Sequence, residues 1–281
     1  SENTAFVYMA SKLDLCDIRD TAMRFGVRRA DGTELQYIPS SVIGVNEISP
    51  LSMAAAMAAV SNHGVYCSPV AIDKVIVRSS KQELKVPTTQ CSQAVTPDVA
   101  AGMTHAMRAV ISGGTGGASS TGDGVALAGK TGTTDSGVHT WMTGYSSTVG
   151  TATWVGNVSG SKSLSSIKLN KKAGNTVRHD IWRTIMQTAN KLYVPGPLDV
   201  APPSVLNATY MTIPDVTGQT PDAAAEVIKT NMLNGSIVVK QVASAQPAGT
   251  VAYTRPAAGT AVADATLRPL DSRRDPLGAG A

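Results

Sequence analysis

The order of apolar and polar positions divides the chain into a long mixed region and a short compact one. Residues 3–13 and 14–25 carry apolar side chains at helical spacing, and Gly26 is a natural stop behind the second run. Pro50–Ser61 predicts a helix with Ser49 as its cap, proline in its first turn and Asn62-His63-Gly64 at its end. That helix is apolar on all sides, which predicts a buried one. Thr96-Pro97-Asp98 opens another helix, running through Ala100, Met103, Met107 and Val110. The glycine-rich stretch 113–124 follows and reads as a mobile loop. Strand patterns come next: a run bearing Lys130 near its end, then 141–145 and 149–155 with a serine turn between, together an antiparallel meander. Shorter runs at 70–77 and 83–86 predict a hairpin, and a helix over 179–192 closes the region.

Residues 193–212 hold Pro195, Pro197, Pro202 and Pro203 with little periodicity, and read as a semi-rigid linker. The unit 213–270 follows. Thr220-Pro221-Asp222 caps a helix over 223–232, and strand-like runs cover 236–242, 250–254 and 265–270. The tail 271–281 has no core residues to anchor it and reads as disordered.

Composition narrows the classes. With 42% hydrophobic and 16% charged residues among 281, the chain can bury a substantial core. The formal charge of +4 comes without any run of five like charges; Arg28-Arg29, Lys171-Lys172 and Arg273-Arg274 are isolated pairs. Such pairs solvate a surface and do not make a nucleic-acid interface. No apolar stretch is long enough to span a membrane. Of the three cysteines, Cys67 and Cys91 flank the 70–77/83–86 hairpin and could meet at its open end. In an oxidising compartment a bridge there closes a loop of about 25 residues and contributes about 2–4 kcal/mol. Cys16 shares a helical face with Leu15, Ile18 and Ala22 and reads as a buried free thiol. No C-x-x-C or His/Cys cluster points to a metal.

Gly129-Lys130-Thr131-Gly132-Thr133-Thr134 carries the chemistry and has two readings. Taken back to Gly124, it satisfies the G-x-x-x-x-G-K-[ST] phosphate-loop pattern letter for letter. Taken forward, Lys130-Thr131-Gly132 is the K-T-G element of serine acyltransferases that act on penicillin-like substrates. A phosphate loop bends after a strand and opens a helix whose N-terminus holds the anion. Here Val125, Ala126, Leu127 and Ala128 are strand-like, and Gly132 to Gly137 are turn residues and poor helix formers. Lys130 is thus expected on a strand of the meander, which favours the second reading over a nucleotide-binding protein.

Two further stretches stand in order with this element. The chain opens Ser1-Glu2-Asn3-Thr4-Ala5-Phe6-Val7, with its single S-x-N, and Pro50-Leu51-Ser52-Met53-Ala54 with Asn62-His63-Gly64 lies between. The succession resembles the transpeptidase domain of class A (bifunctional) penicillin-binding proteins. Residues 1–192 resemble the C-terminal part of that domain, which implies an α+β fold, an antiparallel sheet flanked by helices, N-terminally incomplete here. Ile213-Pro214-Asp215-Val216-Thr217-Gly218 and Arg255-Pro256-Ala257-Ala258-Gly259 make 213–270 resemble a PASTA domain, a small α+β unit. One such module behind a class A transpeptidase is similar to the arrangement in actinobacterial, particularly mycobacterial, members.

The resemblance implies a D,D-transpeptidase that cross-links peptidoglycan stem peptides outside the cytoplasmic membrane, is a target of β-lactams, and uses no cofactor and no nucleic acid. By it, Ser1 relays protons and Asn3 hydrogen-bonds the substrate's peptide carbonyl. Lys130 supplies a fixed charge for the terminal carboxylate, Thr131 and Thr133 offer it hydroxyls, and Gly132 leaves room for the peptide. The N–H of Thr133 is one of two oxyanion donors. The family's nucleophile sits in an S-x-x-K upstream of S-x-N. The two matches here, Ser159-Gly160-Ser161-Lys162 and Ser165-Ser166-Ile167-Lys168, follow Lys130 in a polar stretch and are not credible nucleophiles. The nucleophile is therefore expected on an upstream part of the same protein, together with a glycosyltransferase domain, and the chain alone is expected to form no acyl-enzyme. Where the family carries an acidic residue before its next strand, this chain has Val138-His139-Thr140-Trp141-Met142, and His139 reads as a partly exposed loop histidine. Arg268-Pro269 implies an edge position for the last PASTA strand. Two other classes compete. Ser1 could act as an N-terminal nucleophile through its own amino group, although such schemes start on a strand and residues 3–10 pattern as a helix. Alternatively the chain is a non-catalytic module that binds cell-wall fragments.

Overall fold

Four helices start with the same device. In each, an oxygen-bearing side chain just outside the first turn accepts an otherwise unpaired N–H. Asp14 accepts from the Cys16 N–H, Ser49 from Ser52, Thr96 from Val99 and Thr220 from Ala223. The computed structural model describes residues 3–207, 210–231 and 238–263. In chain order its elements are α1 (Asn3–Ala10), α2 (Leu15–Arg24), α3 (Pro50–Ser61), β1 (Val65–Cys67), β2 (Val75–Ile76), β3 (Glu83–Leu84), β4 (Cys91–Gln93) and α4 (Pro97–Ser112). The meander β5 (Ala128–Thr133), β6 (His139–Tyr145) and β7 (Gly150–Gly156) follows, then β8 (Lys168–Leu169), β9 (Lys172–Ala173) and α5 (Val177–Leu192). The chain continues through α6 (Pro203–Leu206), β10 (Tyr210–Thr212), α7 (Pro221–Thr230) and β11 (Ala261–Ala263).

The sheet β5-β6-β7 is antiparallel, with Lys130 opposite Thr143, Gly132 opposite Trp141, and Trp141 opposite Trp154. Alternation along the strands sends side chains into two cores. Ala128 and Tyr145 join Phe25, Ala56, Ala59, Val60 and Ala100 beneath α3 and α4. Met142 joins Ile111, Leu127 and, from α5, Trp182 and Met186. This is a mixed α+β architecture with helices packed on an antiparallel sheet.

Several expectations meet corrections. The first helix ends at Ala10, not at residue 13, because the chain turns and the Ser11 hydroxyl donates back to the Tyr8 carbonyl at 2.7 Å. Cys16 is exposed, not buried. Successive helical positions point about 100° apart, and half-buried Leu15 and Ile18 set the inner face. The helix α3 buries only Ala56, Ala59 and Val60 fully, and Leu51 stays exposed, because α3 lies across the sheet with its start outside the core. The glycine-rich stretch 113–124 is anchored, not mobile. Ser119 is fully buried, Arg183 donates to the Ala118 carbonyl, Gln187 to that of Thr121, and Asn190 to Asp123, all from α5.

The segment expected as a linker packs on the sheet region. The Ser147 hydroxyl donates to Gly196 O, Thr148 to Tyr193 O, Asp199 bonds His63 Nδ1 at 2.7 Å, and Leu198 and Ala201 are buried. The 70–77/83–86 hairpin shortens to β2 and β3. Cys67 and Cys91 face each other in the β1–β4 ladder with Cα atoms 4.1 Å apart, joined by a disulfide. In the last unit β10 pairs with β11. Residues 250–254 form no ladder strand, although Val251 exchanges hydrogen bonds with Gln219 and Gly218. Residues 238–242 form no strand either. The run 265–270 with Arg268-Pro269, and the tail 271–281, lie outside the described residues.

Candidate active site

β5 is an edge strand, so one row of its backbone groups has no strand partner among the described residues. At the hairpin mouth the Thr134 N–H donates to the His139 carbonyl at 3.0 Å. Antiparallel pairs alternate, so counting back from Thr134 turns the N–H and C=O groups of Thr133 and Thr131 toward the open edge. Lys130 lies in mid-strand, not near the strand's end. Its ammonium donates to the edge-facing Thr131 carbonyl at 3.0 Å, and its own carbonyl accepts from the Thr143 hydroxyl at 3.3 Å. Thr131 Oγ1 is 2.6 Å from Thr115 Oγ1, and Thr133 Oγ1 accepts from Arg178 Nη1 at 3.1 Å. At Gly132, between the two threonines, the three atoms nearest the missing Cβ all belong to the Trp141 side chain, at 3.3–3.8 Å. The structure thus brings Lys130, Thr131, Gly132 and Thr133 together along one sheet edge.

Charge is concentrated there. Half-burial, and then the nearby Arg178 guanidinium, hold the Lys130 ammonium below the ordinary lysine pKa. Burial lowers Arg178 in the same sense. Arg178 stands at the start of α5, outside the helix expected over 179–192, and the sequence reading missed it. The available signal was a cation in the first turn of a helix, where the dipole disfavours it. Behind it, Arg178 Nε donates to His179 Nε2 at 3.2 Å, and His179 Nδ1 lies 2.7 Å from the buried Ser119 hydroxyl. A ring that accepts at Nε2 carries its proton on Nδ1, so His179 is neutral and donates to Ser119. Burial first, then Arg178, keep its pKa below that of an ordinary histidine.

The remaining candidates fall elsewhere. Asn3 begins α1, is exposed and has no side-chain hydrogen bond among the described residues, while Ser1 lies outside them. Residues 3–10 are helical, unlike the strand an N-terminal nucleophile scheme needs. His139 is the first residue of β6 and not a loop residue. Its ring stacks on Trp154 with centroids 5.7 Å apart, and its Nδ1 is buried without a hydrogen-bond partner among the described residues. Ser159 and Ser165 are both exposed, one in a bend and one in a short 3₁₀ turn, with no buried helix behind either. The phosphate-loop reading fails on the same geometry, because β5 runs through Lys130 to Thr133 and returns as β6 through a three-residue 3₁₀ turn, Asp135–Gly137, without opening an α-helix.

Comparison with known proteins bears on the family and the fold. The penicillin binding protein transpeptidase domain family matches residues 1–187, and the PASTA domain family matches residues 211–266. Penicillin-binding protein 1A of Aquifex aeolicus is 28% identical over 206 residues, covering 73% of this chain and 27% of that protein. Penicillin-binding protein 1A of Mycobacterium tuberculosis is 32% identical over 157 residues, covering 53% of this chain and 19% of its own length. The chain therefore corresponds to a minor part of the curated relatives it matches. Among solved structures, the PonA1 protein from Mycobacterium tuberculosis in complex with penicillin V superposes with a TM-score of 0.54 at 27% identity, covering 64% of this chain and 50% of that one. Penicillin-binding protein 1A from Haemophilus influenzae shares the fold with a TM-score of 0.59 at 19% identity, over 75% of this chain and 36% of that one. The chain belongs to the penicillin-binding protein transpeptidase family, and a PASTA domain follows its transpeptidase region.

Proposed function

We propose that the chain is the carboxylate-holding part of a serine D,D-transpeptidase that cross-links peptidoglycan stem peptides and is acylated by β-lactams. The observation that carries this reading is the open edge of β5, with Lys130 and the hydroxyls of Thr131 and Thr133 along it. An extended peptide ending in a free carboxylate adds to such an edge as a further strand. Lys130 attracts the carboxylate, the two threonines hydrogen-bond it, and Gly132 keeps the strand clear. The Thr133 N–H faces outward, where an acyl oxyanion needs a donor. By the family resemblance alone, Ser1 is assigned the proton relay and Asn3 the partner of the substrate's peptide carbonyl. The free serine hydroxyl attacks the penultimate D-alanine carbonyl and gives up its proton, and the terminal D-alanine leaves as the amine that takes up a proton. An acceptor amine then displaces the serine oxygen, losing a proton as it takes the acyl group.

In this reading the nucleophile and the second oxyanion donor belong to an S-x-x-K segment upstream in the same protein, with a glycosyltransferase domain. The site works on the outer side of the membrane; among the described residues no helix is long and apolar enough to cross one. A fluorescent penicillin tests the proposal. The intact protein is expected to be labelled covalently, Lys130→Ala to lose the label, and residues 1–281 alone to take none. Label on the isolated chain would refute the placement of the nucleophile, and undiminished label on Lys130→Ala would refute the role of Lys130.

A further inference from the structure

We propose that Arg178 is a second cationic arm of the carboxylate site, aimed by His179 and Ser119. This rests on the transpeptidase reading and adds a residue to it. Three contacts fix the guanidinium: Nη1 donates to Thr133 Oγ1 at 3.1 Å and reaches Gly132 O at 3.5 Å, and Nε donates to His179 Nε2 at 3.2 Å. His179 is fixed in turn by its 2.7 Å bond to Ser119, which is fully buried in the anchored glycine-rich stretch.

The arrangement is unfavourable in isolation. Arg178 is half-buried, sits at the positive end of the α5 dipole and lies near Lys130. Among the described residues no carboxylate forms an ion pair with it. The nearest acid on its own helix, Asp180, is engaged by Lys172 and Arg183. A carboxylate arriving at the β5 edge supplies the missing negative charge.

The hydrogen-bond directions fit that role. A guanidinium has five N–H donors in a rigid fork, and the Nη2 pair makes no hydrogen bond among the described residues, so it can address a carboxylate. Because Thr133 Oγ1 accepts from Arg178, its own hydrogen is directed elsewhere and can be donated to the same carboxylate. Arg178 thus binds the anion and orients the Thr133 hydroxyl toward it. His179 and Ser119 act through Arg178 as positioning residues.

The test measures binding of diacetyl-L-Lys-D-Ala-D-Ala and of its C-terminal amide to the 281-residue chain by NMR titration. The ratio of the two affinities isolates recognition of the carboxylate. The wild-type chain is expected to prefer the acid. Arg178→Gln should reduce that preference roughly tenfold or more, as for loss of a charge-assisted pair, with amide affinity unchanged. Arg178→Lys, which keeps the charge but not the fork, should restore part of it. The amide affinity also reports folding, so a collapsed variant is not mistaken for a selective loss. If Lys130→Gln loses the preference and Arg178→Gln keeps it, the role of Arg178 is overturned and the transpeptidase reading stands. If the wild-type chain does not distinguish acid from amide, both are overturned.

Discussion

Gly144→Ala should loosen the sheet that carries the site. Gly144 is opposite Gly129 in the β5–β6 ladder, one position from the Lys130–Thr143 pair. A Cβ placed on it would lie 2.3 Å from Ala128 O, 2.9 Å from Gly129 Cα and 3.0 Å from Trp182 Cζ2. Two of these are backbone atoms of the neighbouring strand, and Trp182 is fully buried, so none yields by a rotamer change. Either β5 moves away from β6 or α5 lifts from the sheet. Overpacking of this kind costs about 1–3 kcal/mol, and losing one ladder hydrogen bond adds about 1, for a total of roughly 2–4 kcal/mol. Urea unfolding followed by tryptophan fluorescence is the suitable assay, because Trp141, Trp154 and Trp182 all belong to β6, β7 and α5 and report this region alone. With an m-value of about 2 kcal/mol/M, the midpoint should fall by about 1–2 M. Gly113→Ala is the control. Its Cβ meets nothing within 4 Å and its φ is −153°, so its midpoint should stay close to that of the wild type. A Gly144→Ala midpoint equal to the control would refute the claim that close packing at this glycine sets the position of β5.

Removing the Cys67–Cys91 bridge by a double change to alanine frees a loop of sequence separation 24, a loss of about 3.5 kcal/mol by chain entropy, read as a lower thermal midpoint. An unchanged midpoint would show that the bridge constrains nothing. His179 should make stability pH-dependent. Its folded pKa is lowered, so the unfolded chain takes up the proton first; stability is full above about pH 6.5 and falls as pH drops through the folded value. Arg178 and Arg183 reinforce this and Asp180, paired with Lys172, opposes it. The NMR titration of the His179 ring should show a midpoint below 6.5, and a midpoint at or above the ordinary value would refute the burial argument. Burial pushes the Tyr145 phenol up to about 12, and its hydroxyl bonds Thr104 at 2.8 Å. Tyr145→Phe should cost about 1 kcal/mol and leave the phenolate absorbance gained by pH 11 unchanged; a drop there would show that Tyr145 ionises with the exposed tyrosines.

How far the sequence could be read depended on the range of the interaction. Pro50–Ser61 was legible to the residue because its cap, its proline and its terminator are all local. The β5–β6–β7 meander was legible from alternation and turn residues, and so was the failure of the phosphate-loop pattern, since no helix former follows Lys130. The stretch 113–124 was misread because its glycines and serines are flexible by themselves. Its order comes from Arg183, Gln187 and Asn190, some sixty-five residues away on α5. Cys16 was misplaced for a related reason: the spacing of α2 shows that an inner face exists, but packing decides how far it extends.

The sequence by itself determined the order of the motifs, the strand nature of Lys130-Thr131-Gly132-Thr133 and the kind of chemistry those side chains serve. These follow from local propensity and residue type. Only the tertiary structure decided that β5 is an edge with the Thr133 N–H outward, and that Arg178, forty-five residues beyond Thr133, reaches its hydroxyl. Strand order and helix docking are settled by which apolar faces bury together, and no local pattern encodes that pairing.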